Sequence, residues 1–142
     1  MSSPFVSETL RNAIAAAVLS AWAPEEIYFG APREVVPLLP SAAIHLDSVQ
    51  RISATVSRVR YEYSFSIVGR FAWPGDPTST IEAAKTAKSN SLYAALITGS
   101  TFAGVADLHN VDSITYEEVD DPRQRAYEVR VAFTAQSESS RV

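Results

Sequence analysis

The stretch RVRYEYSFSI, residues 58–67, decides the fold. Val59, Tyr61, Tyr63, Phe65 and Ile67 alternate with Arg58, Arg60, Glu62, Ser64 and Ser66. Successive strand side chains point to opposite faces, so this strict period of two predicts a long strand with one buried and one solvated face. Just upstream, Ile52, Ala54 and Val56 alternate with Arg51, Ser53 and Thr55, now with the apolar set on even numbers. A continuous strand would bury the wrong side chains, so a turn or a β-bulge must lie near Ser57, and the pattern leaves both open.

Working outward, Ser41–Asp47 (SAAIHLD) reads as a strand and Glu26–Phe29 (EIYF) as a short one. Between them, residues 30–40 (GAPREVVPLLP) carry three prolines, which remove backbone donors and predict an irregular connection. Its apolar Val35, Val36, Leu38 and Leu39 must cover something, either the domain's own core or a neighbouring subunit. On the N-terminal side, Leu10, Ile14, Ala17, Val18 and Ala21 recur at helical spacing. Ser3 or Ser7 is the expected cap and Pro24 the expected stop. The apolar run 13–23 imitates a secretory signal, but Glu8 offsets Arg11 and Pro24 would be a poor first mature residue. A soluble cytoplasmic product is expected.

Downstream, Trp73-Pro74-Gly75-Asp76-Pro77 is a turn-rich loop. A second helix follows, with Ser79 and Glu82 at capping-box spacing, Ile81, Ala84, Leu92, Ala95 and Leu96 on its apolar side, and Lys85 and Lys88 toward solvent. The C-terminal part reads as a hairpin. Ile114 and Tyr116 lead to a turn at Asp120–Arg123, and Tyr127, Val129, Val131 and Phe133 then alternate with polar partners. The order helix, strands, helix, strands defines an α+β fold, a mainly antiparallel sheet flanked by two helices. Residues 1–142 form one such domain, and 136–142 (QSESSRV) read as a polar C-terminal tail that frays on its own.

The 142 residues suit one domain, and 46% hydrophobic with 20% charged is ordinary globular composition. With no cysteine, disulfides, thiolate catalysis and cysteine-ligated metals are excluded, and a net charge of −4 speaks against gripping nucleic acid by general attraction. No catalytic, cofactor-binding or metal-ligating residues are assigned. No serine stands in G-x-S-x-G, and the five glycines form no phosphate cradle. His45 reads as a structural strand residue and His109 as part of a solvated loop with Asp107 and Asp112. The acidic run at residues 117–121 reads as a solvated hairpin tip, and Arg58, Arg60 and Arg70 as a solvated sheet face with cross-strand partners. Trp22 reads as core. Trp73 stands between core and interface, since large rings near element ends often anchor contacts.

Taken in order, SETLRNAIAAAVLSAW (7–22), VVPLLPSAAIHL (35–46), RYEYSFSIVGRF (60–71), IEAAKTAKSNSLYAAL (81–96) and YEVRVAFTAQ (127–136) resemble the small tail-terminator and tail-completion (neck) proteins of long-tailed bacteriophages. That resemblance implies a non-enzymatic virion protein without cofactor or membrane. It implies a homo-oligomeric ring, a hexamer, that caps the tail tube, meets the neck and lets DNA pass. It places the protein in the virion tail or neck, after assembly in the host cytoplasm. Ring closure needs one patch to meet a different patch on the next subunit, and Val35, Val36, Leu38, Leu39 and Trp73 are the expected interface residues. Another neck or tail-tube component is the near alternative, and the competing expectations are a small-molecule-binding α+β domain or enzyme, with Tyr61, Tyr63 and His45 able to contribute to a pocket, and a host-factor binding module.

Overall fold

The structure, a computed structural model, describes residues 5–30, 39–74, 78–97, 102, 106, 108–121 and 124–140. Its elements run α1 (Ser7–Trp22), β1 (Glu26–Phe29), β2 (Ser41–Ala54), β3 (Arg58–Ala72), α2 (Thr78–Ile97), β4 (Leu108–Asp121) and β5 (Gln124–Ser140). The strands form one sheet in the order β1-β2-β3-β5-β4. β1 lies parallel to β2 and every other pair is antiparallel. The fold is therefore α+β with a mainly antiparallel sheet, as the strand periodicity predicts.

The odd-numbered face of β3 is the core face. Tyr63, Phe65, Ile67 and Phe71 are buried there beside Ala42 and Ile44 of β2 and Tyr127, Val129, Val131, Phe133 and Ala135 of β5. Leu10, Ile14, Ala17, Val18 and Trp22 of α1 and Ile81, Leu92 and Leu96 of α2 close over it. The helices pack on each other, α1 also against β2 and α2 against β4 and β5, so both cover the same side of the sheet. Tight contact at one point fixes the α1 end. The Trp22 ring lies over Gly69, where a Cβ would come within 2.6 Å of it, and its indole N–H donates to the Lys88 carbonyl of α2 at 2.9 Å. The expectation that Trp22 is core holds.

Several local expectations are corrected. Ser7 does not cap α1, and Ser3 lies outside the described residues. Val6 is the N-cap, without a side-chain cap bond, and its N–H instead donates to the buried Tyr63 hydroxyl at 3.1 Å. Near Ser57 the chain makes a turn, with Thr55 N–H donating to the Arg58 carbonyl at 2.7 Å. β2 is one strand, not two, with bulges near Asp47 and Ile52, and the change of parity near Ser57 falls at the turn. Ile52 in β2 and Val56 in the turn are 43% and 96% exposed, not on a buried face. The polar segment 136–142 is no free tail up to residue 140, because residues 136–140 continue β5 and pair with 58–62 of β3. The backbone ladder to β3 holds it. Lys85 and Lys88 are half-buried, their ammonium groups lying over the rings of Tyr116 and Phe71 at 5.7 and 4.9 Å. α2 already begins at Thr78, so Ser79 lies inside the helix and not at the cap position that the expected box with Glu82 needs, and the expected stop at Gly99 lies outside the described residues.

Candidate interaction surface

Of the expected interface residues, Val35, Val36 and Leu38 lie outside the described residues, and Leu39 is half-buried just before β2. Trp73 is half-buried at the end of β3 and packs against the core. The Arg125 guanidinium stacks on its ring at 3.7 Å, and its backbone N–H donates to the Arg125 carbonyl at 3.0 Å. The ring therefore serves both as core edge and as surface, the two roles its position in the sequence left open. Leu39 enters β2 and Trp73 leaves β3 at the same end of these two adjacent antiparallel strands, where Ser41 pairs with Arg70.

The residues screened for chemistry settle into structural roles. His45 lies 3.6 Å from Asp47, and Asp47 accepts a 2.6 Å hydrogen bond from Ser66 Oγ. The carboxylate stands between imidazole and hydroxyl, so the histidine is not placed to take the serine proton, as an activated nucleophile requires. His109 is not in a loop. It opens β4 opposite Ala135, with its ring 4.9 Å from Phe102 and 6.2 Å from Phe133. The sequence signal was present: His109 has the parity of Val111 before the bulge, but Asp107 and Asn110 disguised it as loop. Among the described residues no group of three or more His, Asp or Glu could hold a metal ion. Among them, too, no helix is long and apolar enough to cross a membrane.

No described helix lies on the sheet's second face, which is polar. Its centre is a charge cluster that sequence reading underestimated. Glu128, 2% exposed, accepts from Arg70 Nε at 2.6 Å and from Arg130 at 2.8 to 2.9 Å, and Arg130 also reaches Glu117 at 3.5 Å. Cross-strand pairing in the row Ser41, Arg70, Glu128, Glu117 makes this possible. The expectation of cross-strand partners for the arginines holds, but Arg70 is largely buried rather than solvated, with 12% of its side chain exposed. Beside Arg130 lies an open hollow of about 180 Å³ lined by Ser66, Val68, Ser113 and Thr115. Another, of about 320 Å³, lies over Leu108, His109, Asn110, Thr134 and Gln136. Both are open hollows on the sheet rather than enclosed apolar pockets, and neither gathers Tyr61, Tyr63 and His45.

Exposed apolar groups are scattered, Phe5, Leu19, Phe29, Tyr93 and Leu108 among them, while two distant segments differ in charge. The β2–β3 turn carries exposed Ile52 and Val56 among Arg51, Arg58 and Arg60, the last two sharing Glu138 at 3.8 and 3.7 Å. The edge strand β4 carries Asp112, Glu117, Glu118, Asp120 and Asp121 and no lysine or arginine.

No protein-family model matches the chain, and no curated protein matches it. Among solved structures, the fold is similar to a chain in the virion of a native gene transfer agent particle, at 19% identity and a TM-score of 0.52. The match covers 95% of this chain and 100% of that one. At this identity the likeness speaks to the fold.

Proposed function

We propose that this protein is a structural component of a phage-type virion. More narrowly, it is the tail terminator, a ring that caps the tail tube and joins it to the neck. One observation carries the proposal: a chain of a gene transfer agent virion shares this fold over its whole length. The order of elements that resembles tail-terminator and tail-completion proteins supports the narrower reading. In this role the protein acts by shape and not by catalysis, and it needs no cofactor. Copies associate as a closed ring, expected to be a hexamer, and Trp73, Leu39, Val35, Val36 and Leu38 contribute to contacts between them. DNA crosses the ring without specific binding, and the acidic net charge keeps the wall from holding it. The protein resides in the tail or neck of the particle after assembly in the host cytoplasm.

The test is removal of the gene followed by electron microscopy of the particles. Tails of uncontrolled length, unattached to heads and restored by supplying the protein, are expected. Tails of normal length that fail at another joint would assign the protein to a different neck or tube position. Normal infectious particles would overturn the virion role itself.

A further inference from the structure

Deepening that reading, the geometry points to a head-to-tail contact between copies of this chain, in which the β2–β3 turn of one copy docks on the β4 edge of the next. From Ser48 to Tyr61 the sequence holds three arginines and no acid, whereas β4 holds five acids and no arginine or lysine. The two segments are complementary in charge, and complementary potentials steer association and fix its register.

They are out of reach of each other within one molecule. β3 and β5 stand between β2 and β4. Glu117 is level with Arg70, twelve residues along β3 from Arg58, which at ~3.3 Å per residue is about 40 Å. The charge match can be realised only between molecules. Because the two patches differ, the contact is heterologous, and such contacts close into rings when the rotation permits.

The turn also offers what the centre of an interface needs. Val56 is 96% and Ile52 43% exposed, with guanidiniums around them as a rim. On the receiving side Tyr116 is 43% exposed, and Trp73 lies close by, since Arg125 stacks on its ring and also reaches Glu118 at 3.9 Å. An apolar wedge among arginines thus meets Tyr116 and Trp73 beside Glu117 and Glu118, the carboxylates that Arg130 and Arg125 of the same copy already approach at 3.5 and 3.9 Å. The buried apolar centre would supply affinity and the charges would supply orientation. The bulge near Ile52 breaks the regular ladder just before the turn, so the turn docks by side chains and does not add a strand.

The experiment uses sedimentation velocity of the full chain over a range of concentration and salt. The wild type is expected to self-associate, more weakly as salt rises. Arg51→Glu with Arg58→Glu is expected to weaken association about tenfold or more, and so is Glu117→Arg with Glu118→Arg. An equimolar mixture of the two double variants is expected to restore it, since each then offers the charge the other lacks. Thermal melting first verifies that both are folded. A wild type that stays monomeric throughout overturns the proposal. So do folded variants that associate like wild type, or a mixture that fails to recover. A tip variant that self-associates normally yet no longer joins tails would give the turn to the tube instead, which also overturns it. If association behaves as expected but removal of the gene leaves tails normal, this contact stands and the tail reading fails.

Discussion

At residue scale, the contact of Trp22 with Gly69 shows how one absent side chain sets the packing of a helix on a sheet. β3 needs no turn or unusual dihedral at position 69; the space over its Cα is already filled by the indole. A methyl group there would stand 2.6 Å from the ring, and the ring is held by its hydrogen bond to Lys88. Gly69→Ala is therefore expected to lower stability by about 2 kcal/mol or more, as overpacking typically does, and denaturant titration reads it. The opposite sign is expected one residue after the helix. Ala23 closes α1 in the left-handed region at φ 45°, ψ 54°, where its N–H reaches the Leu19 carbonyl. Left-handed backbone costs an L-residue roughly 1 kcal/mol, and Ala23 is exposed, so glycine loses no packing there. Ala23→Gly is expected to raise the melting temperature by a few degrees, and an unchanged or lower value would show that Pro24 already imposes the geometry.

At element scale, what the sequence discloses depends on whether side-chain pattern or backbone pairing holds a segment. The alternation in β3 and in residues 127–133 is visible because one face of each strand is buried among large apolar groups, and the structure returns both strands with the expected parity. The spacing of Leu10, Ile14, Ala17 and Val18 likewise discloses α1, all four being buried. By contrast, residues 136–140 carry no such pattern, because backbone bonds to 58–62 hold them while most of their side chains are polar. The bulges in β2 and β4 are equally silent, since an inserted residue looks like a change of phase or a break. The candidate surface was legible in part. The apolar turn residues and the acidic run stand out as composition, but only the sheet order shows that they occupy separate places. The correction at the end of β5 has a measurable consequence. Truncation after Gln136 removes Ser137, 7% exposed, and strips β3 of its partner from Arg58 to Tyr61. With each net hydrogen bond worth about 1 kcal/mol, the loss is expected to be a few kcal/mol, read as a drop in melting temperature; no drop would return this segment to the status of a free tail.

At the scale of the whole molecule, the core side of the sheet sets an alkaline limit on stability. Tyr63 and Tyr127 are both 2% exposed or less, and burial pushes both phenols above their ordinary value of 10.0. For Tyr63 the Val6 N–H partly offsets this by favouring the ionised oxygen. The folded protein keeps both phenols neutral at a pH where the unfolded chain has begun to lose those protons. The unfolded state then binds fewer protons than the native one, so stability falls as pH rises. The contribution is intact below about 10 and is lost from there upward through the folded values. Melting temperature is accordingly expected to stay flat through neutral and mildly alkaline pH and to fall steeply above pH 10, with phenolate absorbance appearing together with unfolding. Tyr127→Phe removes one of the two protons from the balance and keeps the ring against Phe71, which lies 5.3 Å away. The variant is expected to lose stability less steeply above pH 10 than the wild type does. Equal slopes in the two proteins would show that Tyr127 ionises alike in the folded and unfolded chain, and the alkaline limit would then pass to Tyr63, beneath the start of α1.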